Sequence, residues 1–340
     1  MSLQYLRVVS LSVEGASKKI GFDAVNGDDL QQLRIRFDVR QNDGATPNVA
    51  NIYVTNLSDG TANQIRSGAK TEYKRVTLSA GYRDGGAVTL FSGEILQIRT
   101  GREEVTDKYL HILATSGERA TNSATVIKSL AAGHTHNDRV KLATDAMVPW
   151  GITLGHIADL GTRKFSRGFA FCGNAKDLLR ETCRATQSSW SIQNQVFQLV
   201  KNDSNLPGRT LVLNSSTGLL GLPVQTINGI EGRCLLNGRM IPGGLVQIDQ
   251  KSVQQATLTP GYTSQLQNDA LLPTIAADGV YRLFVVDHHG DTRGQSFETE
   301  FIGIAKGEAI SIGLASRAIG DPAEQASKSS ASVSTGAGAR

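Results

Sequence analysis

The sequence predicts a β-rich α+β fold: two antiparallel β-barrels flanking a small α+β module, followed by a flexible C-terminal tail. Three observations carry this. Glycine supplies 36 of the 340 residues while proline supplies only 8, and an average chain holds about 7% glycine, so tight turns are frequent. Apolar residues alternate at period two in the first and last thirds of the chain, the mark of strands with one buried face. Between them lies a stretch with 3.6-residue periodicity. The length suits roughly two or three domains, and it is ample to bury several cores without disulfide or metal support.

The elements follow in order. Leu33, Ile35, Phe37 and Val39 alternate with Arg34, Arg36 and Asp38, which makes a strand. Ile52 and Val54 oppose Tyr53, Thr55 and Leu57 in a second. Val76, Leu78, Ala80 and Tyr82 form a third, and Asp84, Gly85 and Gly86 signal a hairpin into a run from Val88 to Ile98. The apolar phase of that run slips at Ser92 and Gly93, which predicts a β-bulge there. Lys108 to Ala114 adds a strand, and Gly117 ends the first module, residues 1–117.

The second module, residues 118–206, reads as helices at 123–132 and 137–148 and a third at 175–186 capped by Asn174, then a hairpin at 189–200 turning at Asn194 and Gln195. The third, residues 207–318, returns to strands at 211–213, 224–227, 233–236 and 245–248. Its clearest hairpin has strands at 280–286 and 296–302 around a polar turn at 288–294. Residues 319–340 are rich in Ser, Ala and Gly, with Val333 the one aliphatic side chain larger than alanine after Asp321. Such composition offers too little apolar surface to offset ordering entropy and predicts disorder.

Charge excludes some functions. A net +4 spread over 340 residues, with no run of five Lys or Arg, is not a dedicated nucleic-acid groove. Three cysteines, Cys172, Cys183 and Cys234, have no CxxC spacing, so neither a disulfide framework nor a structural zinc site is expected. No apolar stretch is long enough to span a membrane, and the start of the chain lacks a secretory h-region. The expected place of folding is a cytoplasm.

Candidate chemistry is sparse. Asp287, His288, His289 and Asp291 combine histidine with carboxylate, as metal sites and acid–base catalysts do. Adjacent strand residues face opposite sides, however, so His288 and His289 cannot easily share an ion. The stronger reading of this set is a solvated hairpin tip. His134 and His136 fall between two expected helices, and Glu103, Glu104 and Asp107 in a charged loop. No GxSxG surrounds any serine, and the glycine clusters at 218–221 and 243–244 lack a phosphate-loop context. The expectation is a scaffold with no catalytic residue, no metal and no cofactor. A metal-dependent cell-wall hydrolase acting through 287–291, or a glycan-binding module, is the alternative. Arg34, Arg36, Asp287, His288, His289, Asp291 and Arg293 are the candidate interface residues, with 287–294 expected as a protruding tip.

Several segments resemble phage baseplate hub proteins, a family shared with contractile injection systems. Pro47, Asn48, Ala50, Ile52, Val54, Asn56, Leu57 and Ser58 are similar to that family's Pro-Asn entry into an alternating strand. Gly81 and Tyr82, then Leu90 to Ile95, resemble its next hairpin. Thr217 to Pro223, Cys234 to Asn237, Pro242 and Gly243 resemble a linker of long-tailed phage hubs, and the late hairpin with Tyr281, Arg282, Asp287, Gly290, Asp291, Arg293 and Gly294 resembles the last barrel's. The similarity runs from about Leu33 to Ile304.

The resemblance implies a homotrimer whose six tube-like barrels join a six-fold tail tube to a three-fold central spike. It implies contacts with tail tube or distal tail proteins, a separate spike protein, the tape-measure protein and, in a contractile tail, baseplate wedge proteins. Genome DNA would pass transiently through the lumen. The expected location is the baseplate of the virion tail, after assembly in a host bacterial cytoplasm.

Overall fold

The computed structural model describes residues 6–14, 20–23, 32–66, 73–226, 229–249, 254–255, 276 and 278–306. The expected tail at 319–340 lies outside the described residues. The first strands are β1 (Arg7–Val13), β2 (Ile20–Asp23), β3 (Ile35–Asn42) and β4 (Val49–Thr55), followed by helix α1 (Asp59–Arg66). Then come β5 (Arg75–Tyr82), β6 (Gly86–Arg102) and β7 (Lys108–Thr115). Every second residue of β3 and β5 is buried, among them Ile35, Phe37, Val39, Val76, Leu78 and Ala80, as the alternation predicts. Each such side chain contributes about 1.5–3 kcal/mol when fully removed from water.

The middle of the chain holds α2 (Glu118–Ser123), β8 (Thr125–Leu130), α3 (His136–Met147), β9 (Thr153–Ile157), β10 (Phe169–Asn174), α4 (Ala175–Thr186), β11 (Ser188–Gln193) and β12 (Val196–Lys201). Helix α3 begins in a reciprocal capping box between Thr135 and Asp138. Helix α4 is capped where expected, the Asn174 side chain accepting the Lys176 N–H. The hairpin β11–β12 turns on Asn194 and Gln195, both at positive φ, as a two-residue turn matched to strand twist requires. The helix expected over 123–132 is instead strand β8, paired with β10 from Thr125↔Asn174 to Leu130↔Phe169. Its Thr-Val-Ile start stiffens χ1 and favours the extended state.

The last third holds β13 (Leu211–Leu213), β14 (Leu219–Thr226), β15 (Gly229–Leu235), β16 (Leu245–Ile248), β17 (Gln254–Gln255), β18 (Val280–Asp291) and β19 (Phe297–Ala305). Strand β18 runs through the expected polar turn: residues 288–290 pair with β3 on one side and β19 on the other, and Asp291 pairs with β3. Two neighbours supply ladder partners to a polar sequence, and the turn is confined to residues 292–296. The protruding tip expected at 287–294 is therefore mostly central strand.

Among the described residues, fourteen strands make one continuous sheet in the order β17-β14-β15-β19-β18-β3-β4-β7-β6-β5-β1-β2, with β16 on β18 and β13 on β16. No sheet closes on itself among them, so the expected pair of closed barrels is met here by one sheet with two cores. One core is built from β1 to β7 with Leu236 and Phe297. A second lies under the last strands, around Tyr281, Leu283, Val286 and Phe301. A third belongs wholly to residues 120–199, the α+β unit.

The bulge expected at Gly93 is displaced to both sides. The β5–β6 register skips Leu90, and the β6–β7 register skips Leu96. Gly93 itself pairs with Val76, and a Cβ there would run into the Thr115 carbonyl and the Phe91 ring. Gly290 is similar: it pairs with Phe37, and a Cβ would enter that ring. Gly290→Ala forces Phe37 off its packing against Phe297, and overpacking of this kind costs about 1–3 kcal/mol. Urea unfolding of the variant should show that loss in midpoint with an unchanged m-value.

Candidate functional site

The seven candidate residues gather where β3 meets β18, and the ladder decides which way each points. Arg36 pairs with Asp291, Asp38 with His289 and Arg40 with Asp287. All six lie on the outward face, while Val39, His288 and Gly290 face inward. The rows continue across further strands. Asp287 and His289 lie opposite Glu300 and Glu298 of β19, and Glu300 opposite Arg233 of β15. On the other side Arg36 lies opposite Tyr53, Tyr53 opposite His111 and His111 opposite Arg99.

These rows are laced by polar contacts. Arg34 donates to both carboxylate oxygens of Asp291, with Nη2–Oδ2 at 2.6 Å. Arg36 donates to both oxygens of Glu103 at 2.9 and 2.7 Å and lies over the Tyr53 ring at 5.4 Å. Tyr53 stacks on His111 at 4.3 Å. The His111 ring bridges Asn51 at 3.1 Å and Arg99 at 3.3 Å. His289 meets Asp38 at 2.7 Å, and Arg40 reaches Asp287 at 3.4 Å. Behind the β18–β19 turn, Arg7 donates to the carbonyls of Asp291, Gly294 and Gln295. Arg293 is exposed and donates to the Gln32 carbonyl at 2.5 Å.

Protonation follows from these surroundings. The hydrogen bond to Asp38 raises the His289 pKa against the cost of burial. Burial raises Asp287, only partly offset by Arg40, and its Oδ1 has no partner. For Asp291 burial pushes upward, but Arg34 and the Arg293 and Gly294 N–H groups win and hold it below the usual carboxylate range. His111 is lowered by burial and by Arg99.

His288 is 1% exposed, and its Nδ1 lies 2.9 Å from Thr299 Oγ1. That oxygen also accepts the Asn237 N–H, and its own hydrogen is free to donate to Nδ1 in the tautomer that leaves Nδ1 unprotonated.

Adjacent placement on a strand therefore separates the two histidines onto opposite faces. Among the described residues no three His, Cys, Asp or Glu side chains converge as a metal site would require. The row Asn51, Asp38, His289, Glu298, Leu235 contains no hydroxyl or thiol nucleophile. What the face offers is an array of alternating charge. His134 is buried beside α3, where Arg139 lies 4.2 Å over Phe165 and 3.9 Å over Phe169 and donates to its Nε2. Glu103 and Asp107 close the turn between β6 and β7.

Sequence reading missed the residues that tie the parts together. Arg282 and Asp43, 6% and 3% exposed, form a buried ion pair. Arg282 also donates to the carbonyls of Lys201, Asn202 and Ser204 at 3.0, 3.1 and 2.8 Å. Arg119 lies over the Tyr73 and Trp150 rings and reaches Glu94 at 3.6 Å. Tyr53 and His111 carried a legible signal, since both occupy outward positions of alternating strands. Arg282 carried none, because a charge amid Tyr281, Leu283 and Phe284 shows no partner in the sequence.

No family model and no curated protein matches the sequence. Solved structures do match the fold. The chain is similar to the 43 kDa tail protein of prophage MuSo2 from Shewanella oneidensis, at 7% identity and a TM-score of 0.56, over 88% of this chain and 98% of that one. It is similar to a tail protein from Neisseria meningitidis MC58, at 11% identity and a TM-score of 0.52, over 88% and 96%. It is also similar to the E. coli c3393 protein, described as a type VI secretion system component structurally similar to T4 bacteriophage tail proteins gp27 and gp5. That likeness has 10% identity and a TM-score of 0.52, over 89% of this chain and 79% of that one. The fold is thus one found in phage tail proteins.

Burial holds His288 neutral in the folded chain, with its pKa lowered to about 3, against about 6.5 unfolded. Across that window unfolding takes up a proton. Stability is therefore full above the unfolded value and falls as pH drops from about 6.5 toward 3, by up to ~1.4 kcal/mol per pH unit. Chemical denaturation at stepped pH should show a shallower acid slope in His288→Gln than in the parent chain.

Proposed function

We propose that this chain is the structural hub of a phage tail. The observation that carries the reading is the extent of the fold likeness: 88% of this chain and 98% of the MuSo2 tail protein, at a TM-score of 0.56. A share of 88% is too large to be met without part of the α+β unit and strands on both sides of it. In this reading residues 1–117 and 207–318 supply two tube-like barrels, and residues 118–206 are an insert between them. Three chains place six such barrels in a ring that joins a six-fold tube to a three-fold spike. The partners are tail tube or distal tail proteins, a central spike, the tape-measure protein and, in a contractile tail, wedge proteins. The place of action is the virion tail baseplate, and the role is mechanical, not enzymatic.

The outward rows fit a channel wall. Arg36, Arg40 and Arg233 alternate with Asp38, Asp287, Asp291, Glu298 and Glu300 across β3, β18, β19 and β15. A wall of paired charges takes up few phosphates, and each phosphate neutralised would add to salt-dependent retention of DNA. Arg34, Arg36, Asp287, His289 and Asp291 belong to this wall. Arg293, exposed at the turn, would meet the next protein along the tail. His288, turned inward, takes no part in the contact.

Two measurements test the reading. Native mass spectrometry should give a trimer, alone or on mixing with tube and spike proteins; a chain that stays monomeric in their presence would falsify the hub. Second, Asp38→Lys with Glu300→Lys should yield tails that assemble but release DNA more slowly at low salt, with recovery at high salt. Unchanged release would remove the channel-wall assignment.

A further inference from the structure

The α+β unit meets the sheet through a polar joint. Its apolar cluster, from Ala120 to Leu199, shares no member with the clusters of the sheet. What crosses the joint is a set of hydrogen bonds. Gln193 Nε2 donates to the Asn42 carbonyl at 2.9 Å, and Asn48 Nδ2 donates to Gln193 Oε1 at 2.8 Å. The Ser92 N–H donates to Asn194 Oδ1 at 2.8 Å, and the Gln195 N–H to Ser116 Oγ at 3.0 Å. Arg282 holds the end of β12, and Arg119, between Tyr73 of the sheet side and Trp150 of the unit, leans on Glu94.

The same joint concentrates buried polar atoms that have no partner: Asn42 Oδ1, Glu94 Oε2, Arg282 Nε and both side-chain atoms of Gln195. A buried polar group without a partner forfeits its hydration with nothing in return. Water would relieve every one of them if the unit moved away. An apolar core sealed within the unit would not be disturbed by that movement, and polar interfaces between such bodies ordinarily permit relative motion. The chain enters the unit through Ser116 and Gly117, the latter at φ +73°, and leaves it past Lys201.

We propose that the α+β unit is a hinged flap, held against the sheet by the Arg282 tie and the Gln193 and Asn48 hydrogen bonds, which opens as one body without unfolding. Opening would rehydrate Glu94, whose carboxylate is disfavoured when shut. Burial raises its pKa, Arg119 and Arg75 oppose that, and Glu118 adds to it. Neutralising Glu94 therefore favours the shut state at pH 7, whereas cutting the Arg282 tie favours the open one.

Amide hydrogen exchange on the full chain, followed by NMR at pH 7, tests this. The joint amides Ser92 and Gln195 should exchange at least about tenfold faster than Leu199 within the unit and Ile52 within the sheet, through an opening that leaves those two protected. Arg282→Gln should speed Ser92 and Gln195 further, and Glu94→Gln should slow them, with Leu199 and Ile52 unchanged. Joint amides that exchange only together with Leu199 and Ile52 would overturn the flap. So would a Glu94→Gln variant that leaves joint exchange unmoved. Those two readouts stand even if Arg282→Gln fails to fold.

Discussion

The molecule depends on the ladder between β3 and β18. It splices the first and last parts of the chain into one sheet through seven register pairs, from Val285↔Asn42 to Asp291↔Arg36. Side chains alternate, so this register alone assigns His288 and Gly290 to the packed side and Asp287, His289 and Asp291 to the charged side. A slip of one residue would exchange the two sets, burying Asp287, His289 and Asp291 and turning Gly290 away from the Phe37 ring. Gly290 guards against that slip, because the Phe37 ring occupies the space a larger residue would need.

Arg282 begins the same strand and binds the third body to it. A buried ion pair often fails to recover the cost of removing two charges from water. Here the guanidinium recovers part of it through three backbone carbonyls as well as Asp43, so one side chain holds the β3–β4 turn, the end of β12 and β18 together. Such a residue gives positional specificity more than net stability. Arg282 thus fixes where the α+β unit sits, while the unit's own apolar cluster fixes that it folds.

Much of this was legible beforehand, and the failures have physical reasons. Period-two burial in β3, β4 and β5, the cap of α4 and the β11–β12 turn all rest on interactions within a few residues. Strand β8 reads as a helix because Thr-Val-Ile-Lys-Ser-Leu satisfies either period, and its partner β10 is remote in sequence. Asp-His-His-Gly-Asp reads as a turn until two neighbouring strands are supplied. The fold class needed only local pattern. The charged face needed register between distant strands, so Arg36 with Glu103 and Tyr53 with His111 and Arg99 emerged only from the structure. The resemblance in the hairpins pointed toward tail proteins, and the fold agrees with it.

The splice also orders events in time. His289 follows Asp38 by 251 residues, and ribosomes add about 5–20 residues per second. For roughly ten to fifty seconds a nascent β3 would therefore carry an open edge, with Phe37 and Val39 beside it and no β18 to cover them. Such an edge invites pairing with the wrong chain. The α+β unit, complete well before β18 is made and already carrying its own core, is the first body able to fold to completion. The chain is thus exposed to misassembly chiefly between the birth of β3 and the arrival of β18, and chaperone capture would have its greatest effect within that interval.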